Sequence, residues 1–335
     1  MIDFILKSRK ERVRPLVDDW RFPNMVLSVY QPDTASRILS FIQDNSDAID
    51  HVASLYKDEE SRHLFKALFA YRALGPLHMS LPRHFDLSDA FLKAKEMEME
   101  ASSEQFPPFE VSVYKVPFDS VDLNIECWLG NIVYSFIAEQ YYFHRNDVQI
   151  GPRAGDIVVD AGACFGDTAL GFAASVGPTG SVHAFEPIPK QASVFERNTQ
   201  RNPTVKGRIH LHRYALSDTP GQKLQFSDSG AGARASEKGA VEVETTSIDT
   251  LVDCGVLPRV DFIKMDIEGA EVDALKGAAK TIKQFKPRLA ISVYHRESDF
   301  IEIPQLISSF CSEYDLFLDH HTVHQEETVL YALAP

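Results

Sequence analysis

The sequence predicts a doubly wound α/β fold, and three observations carry that prediction. From Gly155 onward, short apolar strands alternate with helical segments, the rhythm of a mostly parallel sheet covered on both faces. A glycine-containing turn follows the first of these strands, and an acidic residue ends the second. Two final strand-like segments are joined by a polar loop, which predicts an antiparallel last strand at one sheet edge.

The first 105 residues are predicted to be a helical N-terminal region that acts as a lid or pairs two chains in a homodimer. Asp33 and Asp58 can each cap a segment with apolar residues on one face, and the second helix should stop at Gly75. A third helix is predicted over 88–100, and the polar run 101–108 is predicted to be a loop. The predicted domains are residues 1–105 and residues 106–335.

The second domain is predicted to begin with a strand at 109–114 and an aromatic-rich helix at 133–143. Its repeating part then follows in chain order. The predicted strands are 157–160, 181–186, 209–214, 260–266 and 288–294, with helices at 168–176, 190–202 and 269–285, and a closing hairpin of 314–318 and 328–332.

The turn after the first parallel strand has the composition of a ligand-binding loop. Gly162 and Gly166 let a ligand approach the backbone, and the next helix offers free N–H groups at its positive end. The spacing G-x-x-x-G departs from the G-x-G-x-x-G of dinucleotide binders, which weakens a Rossmann-type oxidoreductase as an alternative. A tight turn without a ligand is the other interpretation of this loop taken alone.

Acidic residues end two further strands. Glu186 follows the second strand, where an acid in doubly wound folds accepts hydrogen bonds from the ribose hydroxyls of a nucleoside. Asp266 and Glu268 follow the fourth strand, and Asp266 should face the ligand crevice. Glu271 is expected inside the next helix, where favourable interaction with the helix dipole explains it.

Composition excludes several classes of function. The formal charge of −14 disfavours nonspecific binding of nucleic acid or an anionic membrane, and no apolar run reaches the roughly 18 residues of a membrane span. The four scattered cysteines form no C-x-x-C pair, which argues against zinc and dithiol sites and favours the reducing cytoplasm.

Five segments over about residues 130–335 carry a more specific signal: VVDAGACFGDTAL, VHAFEPIP, ALSD, FIKMDIEGAEVDALKGA and the tail from PRLAISVYH to TVLYA. In these segments the chain resembles the FkbM family of methyltransferases. The resemblance implies a class I methyltransferase (Rossmann-like) fold with strand order 3-2-1-4-5-7-6, an S-adenosyl-L-methionine cofactor and usually an O-methylation.

The resemblance also implies a cofactor site. Its methionine part would lie along Asp160, Gly162, Ala163, Cys164, Gly166, Asp167 and Thr168, its ribose on Glu186, and its adenine near Pro187, Ile188, Ala215 and Ser217. Asp266 would lie close to the sulfonium end. Tyr141, with Gln140 before it, would close over the methionine part.

A hydroxyl acceptor benefits from a base, and His295 is the first candidate. It follows the fifth strand at the ligand edge of the sheet, and its ordinary pKa of about 6.5 suits neutral pH. A histidine that only hydrogen-bonds a loop is the alternative interpretation. Asp266 and Glu268 are the other catalytic candidates.

Three further features leave alternatives open. His320, His321 and His324 are expected to contact substrate or to be structural, and no metal ligand is assigned. The loop 227–236, with Arg234, either folds over the acceptor or is an ordinary surface loop. The acceptor is expected to be a hydroxyl on a sugar or a secondary metabolite. N-methylation, an oxidoreductase and a non-enzymatic regulator that binds the cofactor are the alternatives.

Overall fold

Four helices form the N-terminal part of the computed structural model, which describes residues 32–75, 78–79, 81, 87–107, 109–226, 239 and 241–335. The helices are α1 (Pro32–Asp44), α2 (Ser46–Leu55), α3 (Glu59–Leu74) and α4 (Ser88–Glu96). The Asp58 carboxylate caps α3 by accepting a hydrogen bond from the backbone N of Ser61 at 2.6 Å, and Gly75 ends it at a φ of 75°. Both ends of α3 are therefore as predicted, whereas the predicted cap at Asp33 lies outside the described side chains.

An antiparallel sheet stands where a loop was predicted. Its strands are β1 (Glu98–Phe106), β2 (Phe109–Phe118) and β3 (Val121–Trp128), paired in that order. The predicted loop 101–108 is wrong over most of its length, because Ala101 pairs with Ser112 and Phe106 with Phe109. Strand β1 lacks the apolar alternation that marks a half-buried strand, since most of its residues are exposed, so its sequence carries no strand signal.

A short helical segment and a hairpin connect this sheet to the central one. They are α5 (Leu129–Asn131), a π-helix (Ile132–Ile137), β4 (Phe143–Arg145) and β5 (Val148–Ile150). The predicted aromatic helix 133–143 thus ends earlier and has π geometry, which occurs often at functional sites.

Seven strands form the central sheet, and three short ones form a side sheet at its rim. The remaining strands are β6 (Ile157–Ala161), β7 (Ser181–Phe185), β8 (Ile209–His212), β9 (Ala215–Leu216), β10 (Lys223–Phe226), β11 (Val241–Thr246), β12 (Phe262–Met265), β13 (Arg288–Ser292), β14 (Asp315–His320) and β15 (Thr328–Leu333). The central order is β8-β7-β6-β12-β13-β15-β14, and the side sheet is β10-β11-β9. Strand β15 is antiparallel to both of its neighbours, β13 and β14, and all other neighbouring pairs of the central sheet are parallel. The predicted order 3-2-1-4-5-7-6, with an antiparallel last strand, is confirmed.

Helices connect the parallel strands as predicted, with one interruption. They are α6 (Asp167–Ser175), α7 (Pro189–Arg201), α8 (Ile248–Asp253), α9 (Glu271–Lys276), α10 (Ala279–Phe285) and α11 (Asp299–Phe310), with 3-10 turns at Gly177–Thr179 and Lys206–Arg208. The predicted helix 269–285 is divided at Gly277. Its carbonyl accepts a hydrogen bond from the backbone N of Asp249 instead of continuing the helical ladder. None of the described helices combines the length and the apolar run that crossing a membrane requires.

Both faces of the central sheet are buried, each by a different set of elements. Along β6, Val158 faces one apolar cluster and Val159 the other, because successive side chains of a strand point to opposite faces. Helices α1, α2 and α3 contribute to the cluster that contains Val159, and β2, β3, the π-helix and α6 contribute to the cluster that contains Val158. The described N-terminal helices therefore share a core with the sheet.

Candidate active site

The carboxyl ends of β6, β7 and β12 open onto one cavity of about 500 Å³. In open α/β sheets this edge is where ligands bind. The predicted site residues that line the cavity are Gln140, Tyr141, Gly162, Ala163, Cys164, Asp167, Thr168, Glu186, Pro187, Ile188, Ala215, Ser217, Asp266, Glu268 and His295. Asp160 and Gly166 lie behind this lining. The predicted acceptor loop 227–236, with Arg234, lies outside the described residues.

Two glycines shape the turn between β6 and α6. Gly162 has a φ of 78°, and a Cβ placed on it would lie 1.8 Å from the carbonyl oxygen of Asp266. Gly166 has a φ of 82°, and its Cβ would lie 2.6 Å from the ring of Phe195. The glycines therefore allow the ends of β6 and β12 to meet, and they bring the N-terminus of α6 to the cavity.

Glu186 is held with its carboxylate in a fixed orientation beside this turn. The backbone N of Cys164 donates to Oε2 at 2.9 Å, and the backbone N of Ile188 donates to Oε1 at 2.8 Å. Burial raises the pKa of Glu186 to about 7, although both amide donors oppose that change. Two of the carboxylate's lone pairs stay available for donors that enter the cavity.

A buried ion pair lies behind the residues that line the cavity, and it was not predicted from the sequence. The Lys264 Nζ lies 3.2 Å from Asp160 and donates to the carbonyls of Ala161 at 3.1 Å and Gly162 at 2.8 Å. Burial alone would lower the pKa of Lys264, but Asp160 and Asp266 outweigh it and raise that pKa. Asp160 also accepts the Thr168 hydroxyl at 2.7 Å, so it ties the turn to α6 and β12. The sequence signal that could have predicted this ion pair is the lysine in the otherwise apolar strand FIKM.

Asp167 is tied to the connection that precedes the sheet. Asn131 Nδ2 donates to one of its carboxylate oxygens at 2.9 Å, and the Ser135 hydroxyl donates to the other at 2.8 Å. Burial raises the pKa of Asp167, and the two donors oppose it. Asn131 and Ser135 also line the cavity, although no sequence motif marked them.

The opposite end of the cavity holds a cluster of carboxylates around His295. Asp266 accepts hydrogen bonds from the hydroxyls of Tyr141 at 2.8 Å and Tyr294 at 3.3 Å. The Nε2 of His295 lies 3.3 Å from Asp266, and its Nδ1 lies 3.0 Å from Glu271. Neither ring nitrogen makes an aligned hydrogen bond to these oxygens, so the contacts are ion pairs. The cluster joins the three candidates His295, Asp266 and Glu268, the last at 3.8 Å from Nε2.

The charge state of His295 differs from the expectation based on its ordinary pKa. Burial disfavours the imidazolium, but the contact with Glu271 and the charges of Asp266 and Glu268 outweigh burial and raise the pKa of His295 to about 9. The carboxylates around the ring therefore favour its protonated form in the free protein. The helix-dipole explanation of Glu271 is also incomplete, because this wholly buried carboxylate contacts His295 and accepts the backbone N of Ile267 at 2.8 Å.

The spacing of this cluster also resembles that of metal ligands. Asp266, Glu271 and His295 each place a potential ligand atom within 4.8 Å of the others. In this structure Glu271 Oε1 accepts a backbone amide and lies against His295 Nδ1, so this ligand atom already has partners within the protein.

The C-terminal histidines have structural partners. His320 contacts the Thr328 hydroxyl at 2.8 Å and the His324 carbonyl at 3.0 Å, and burial lowers its pKa to about 3. The Nε2 of His321 lies 2.9 Å from the Tyr331 hydroxyl. His320 and His321 do not appear among the described residues that line the cavity.

The lining suits the cofactor implied by the resemblance. Glu186 offers acceptor oxygens to a ribose, apolar residues beside it offer contact to a base, and carboxylates at the other end face positive charge. When bound, S-adenosylmethionine supplies a methyl group already activated on sulfur. Glu268, Gly269 and Arg296 also line the cavity.

Comparisons with known proteins place part of the chain in a sequence family. Residues 160–321 match the family model described as methyltransferase FkbM domain. The hexuronic acid methyltransferase AglP of Haloferax volcanii is 30% identical over 132 residues, which cover 38% of this chain and 53% of that protein. The 2-O-methyltransferase NoeI of Sinorhizobium fredii is 26% identical over 161 residues, which cover 42% and 64%. The match thus spans about half to two thirds of the curated relatives' lengths.

A solved structure shares the fold. The crystal structure of methyltransferase FkbM from Methylobacillus flagellatus KT superposes with a TM-score of 0.57 at 20% identity. The superposition covers 88% of this chain and 60% of that chain. This similarity shows a methyltransferase fold.

Proposed function

The chain contains a methyltransferase FkbM domain over residues 160–321, and on that premise we propose that it transfers a methyl group from S-adenosylmethionine to a hydroxyl of a sugar or secondary metabolite. The observation that carries the proposal is the cavity itself. One end presents the anchored carboxylate of Glu186, and the other presents Asp266 and His295. A nucleoside with a cationic tail matches this order of groups.

The acceptor class rests on two supports. The relatives are named as methyltransferases of a hexuronic acid and of a 2-hydroxyl, so a carbohydrate acceptor is proposed first. Arg296 lines the acceptor end and lies against Gly269, where a guanidinium can bind hydroxyls or a carboxylate of a sugar. The protein is proposed to act on a small molecule or glycan, in the cytoplasm.

In the proposed reaction, different residues would bind the cofactor, align the reactants and accept the proton. Glu186 binds the ribose hydroxyls, and the fixed ends of β6 and β12 align the two reactants, which contributes on the order of 7–11 kcal/mol in well-oriented reactions. The Nε2 of His295 accepts the proton that the acceptor hydroxyl loses. Asp266, held by Tyr141 and Tyr294, stabilises the resulting imidazolium.

Calorimetry and a methyl-transfer assay test the proposal. The wild-type protein should bind S-adenosylmethionine and not NAD, and it should form S-adenosylhomocysteine with at least one sugar in a panel that includes uronic acids. Glu186→Ala should weaken binding severely because the ribose loses its acceptor, whereas Glu196→Ala, at an exposed position of the next helix, should bind as the wild type does. Wild-type affinity in Glu186→Ala would contradict the ribose assignment.

A further inference from the structure

The imidazole of His295 lies in a buried pocket lined by carboxylates. Its side chain is only 3% exposed, so neighbouring groups set its charge state. Carboxylates face it from three elements: Asp266 and Glu268 after β12, Glu271 in α9 and Asp299 in α11. The other titratable or charged groups nearby are tyrosines and basic residues. The Tyr294 ring packs on the imidazole at a centroid distance of 4.2 Å, and the Tyr141 hydroxyl donates to Asp266. Arg296 lies near Asp299, Arg72 donates to the Tyr294 carbonyl, and Lys264 pairs with Asp160.

This arrangement creates a conflict with the proposed role of His295. A base must present an unprotonated nitrogen to the acceptor hydroxyl, yet the carboxylates around the ring favour its protonated form. The ring keeps that proton as long as no further positive charge neutralises the carboxylates around it. A second positive charge beside Asp266 would compensate them, and the cofactor carries one on sulfur.

We propose that His295 binds a proton in the free protein and releases it to solvent when the sulfonium of S-adenosylmethionine binds, so that cofactor binding creates the base. Glu271 is the positioning residue in this exchange, because its contact with Nδ1 directs Nε2 toward Asp266 and the cavity. The inference rests on the proposed function, since it requires the sulfonium to lie at the Asp266 end.

The exchange conserves charge and needs no further reactant. One N–H bond of the imidazolium breaks, the proton goes to buffer, and no electron is transferred. The positive charge on sulfur would oppose the carboxylates that favour the imidazolium, so it would lower the pKa of His295 below its value of about 9 in the free protein. The ring would then give up part or all of its bound proton at about pH 8.

Proton counting by calorimetry tests the exchange without knowledge of the acceptor. S-Adenosylmethionine and S-adenosylhomocysteine are titrated into the wild-type protein at about pH 8 in phosphate and in Tris, which differ in ionisation enthalpy. The difference in binding enthalpy between buffers gives the number of protons released. We expect a clear release, approaching one proton, for S-adenosylmethionine and almost none for S-adenosylhomocysteine, which lacks the positive charge. Glu186 affects both ligands equally and cancels in this comparison.

Two buried variants and one exposed control identify the residue that releases the proton. His295→Gln should remove the difference between the ligands, and His51→Gln, which deletes an exposed imidazole on α2, should keep it. Glu271→Gln should reduce the release at about pH 8, because His295 loses a nearby negative charge. If either buried variant does not fold, the difference in proton release between the two ligands in the wild-type protein tests the exchange by itself.

The outcomes separate the two proposals. Equal proton counts for both ligands would overturn the exchange and leave cofactor binding intact. A release that persists in His295→Gln would overturn the assignment to His295. Failure of both ligands to bind would overturn the proposed function together with the exchange.

Discussion

The role proposed for Glu186 implies that ligand binding depends on pH. Its pKa of about 7 lies within the range of ordinary assays, because burial opposes ionisation more than the amides of Cys164 and Ile188 favour it. In the proposed role the ionised form would accept hydrogen bonds from the ribose, and the protonated form would lose an acceptor. Binding strength should therefore be present above about pH 7 and be lost as pH falls through that value.

We predict that the Kd of S-adenosylhomocysteine rises about tenfold between about pH 7.5 and about pH 5.5. This ligand is chosen because it lacks the sulfonium, so His295 stays protonated throughout. Calorimetry at each pH provides the measurement, and Glu186→Gln should bind weakly with a flat profile. A wild-type profile that is flat over this range would contradict the role given to Glu186.

At Gly162 the backbone conformation, and not a side chain, determines which residue the site can accept. A Cβ at this position would lie 1.8 Å from the carbonyl oxygen of Asp266, and the φ of 78° is itself unfavourable for alanine. We expect Gly162→Ala to lower the free energy of unfolding by about 3 kcal/mol or more. Gly207→Ala is the matched control, because its Cβ would meet nothing within 4 Å and its φ is not positive. Chemical denaturation compares the two, and equal stabilities would contradict the steric argument.

At the scale of elements, Asp58 joins a helix cap to a buried ion pair. Besides accepting the backbone N of Ser61, it lies 3.1 Å from Arg145, whose side chain is 4% exposed and also contacts Asp319. We expect Asp58→Ala to cost about 2–4 kcal/mol, because the cap is lost and a buried guanidinium loses a partner. Asp47→Ala removes an exposed acid from the first turn of α2 and should change stability by less than about 1 kcal/mol. Urea denaturation that ranks the two variants equally would refute this coupling.

The elements predicted correctly are those whose signals are local. The apolar strands β6, β7, β12 and β13 and the cap of α3 follow from neighbouring residues in the chain. Strand β1 was missed because its side chains are mostly exposed, and only pairing with β2 reveals it. Pairing between two strands is a tertiary contact, so the periodicity of residues within one strand does not predict it.

The same distinction separates the predicted and missed parts of the candidate site. Gly162, Glu186 and Asp266 stand at strand ends, where chain position alone indicates a ligand edge. The pKa of His295 depends on Glu271, which comes from another element and could be placed against the ring only by the fold. Asn131 and Ser135 reach Asp167 from a π-helix that no sequence signal marks.

At the scale of the whole molecule, the N-terminal helices and the sheet share one apolar cluster. Phe69 of α3 is buried and packs against Phe65 at a ring-centroid distance of 5.2 Å and against Phe300 of α11 at 5.6 Å. Arg72, one turn later, donates to the carbonyls of Tyr294 and Gln325 at 3.2 and 2.8 Å. A lid or pairing region remains the prediction for residues 1–105, and these contacts add a structural role for α3.

A shared core predicts that damage to α3 destabilises the methyltransferase domain as well. We expect Phe69→Ala to lower the free energy of unfolding by about 3–5 kcal/mol in one cooperative transition, because the cavity opens between α3 and α11. Leu39→Ala is the control, since this side chain is 37% exposed on α1 and should cost less than about 1 kcal/mol. Thermal unfolding is followed by circular dichroism. In parallel, the amount of S-adenosylhomocysteine that stays bound to the protein is measured at each temperature. Coincident curves support a common core, because helices and ligand site are then lost together. A Phe69→Ala protein that loses helical signal early and still binds the ligand at full affinity would show instead that the N-terminal region unfolds on its own.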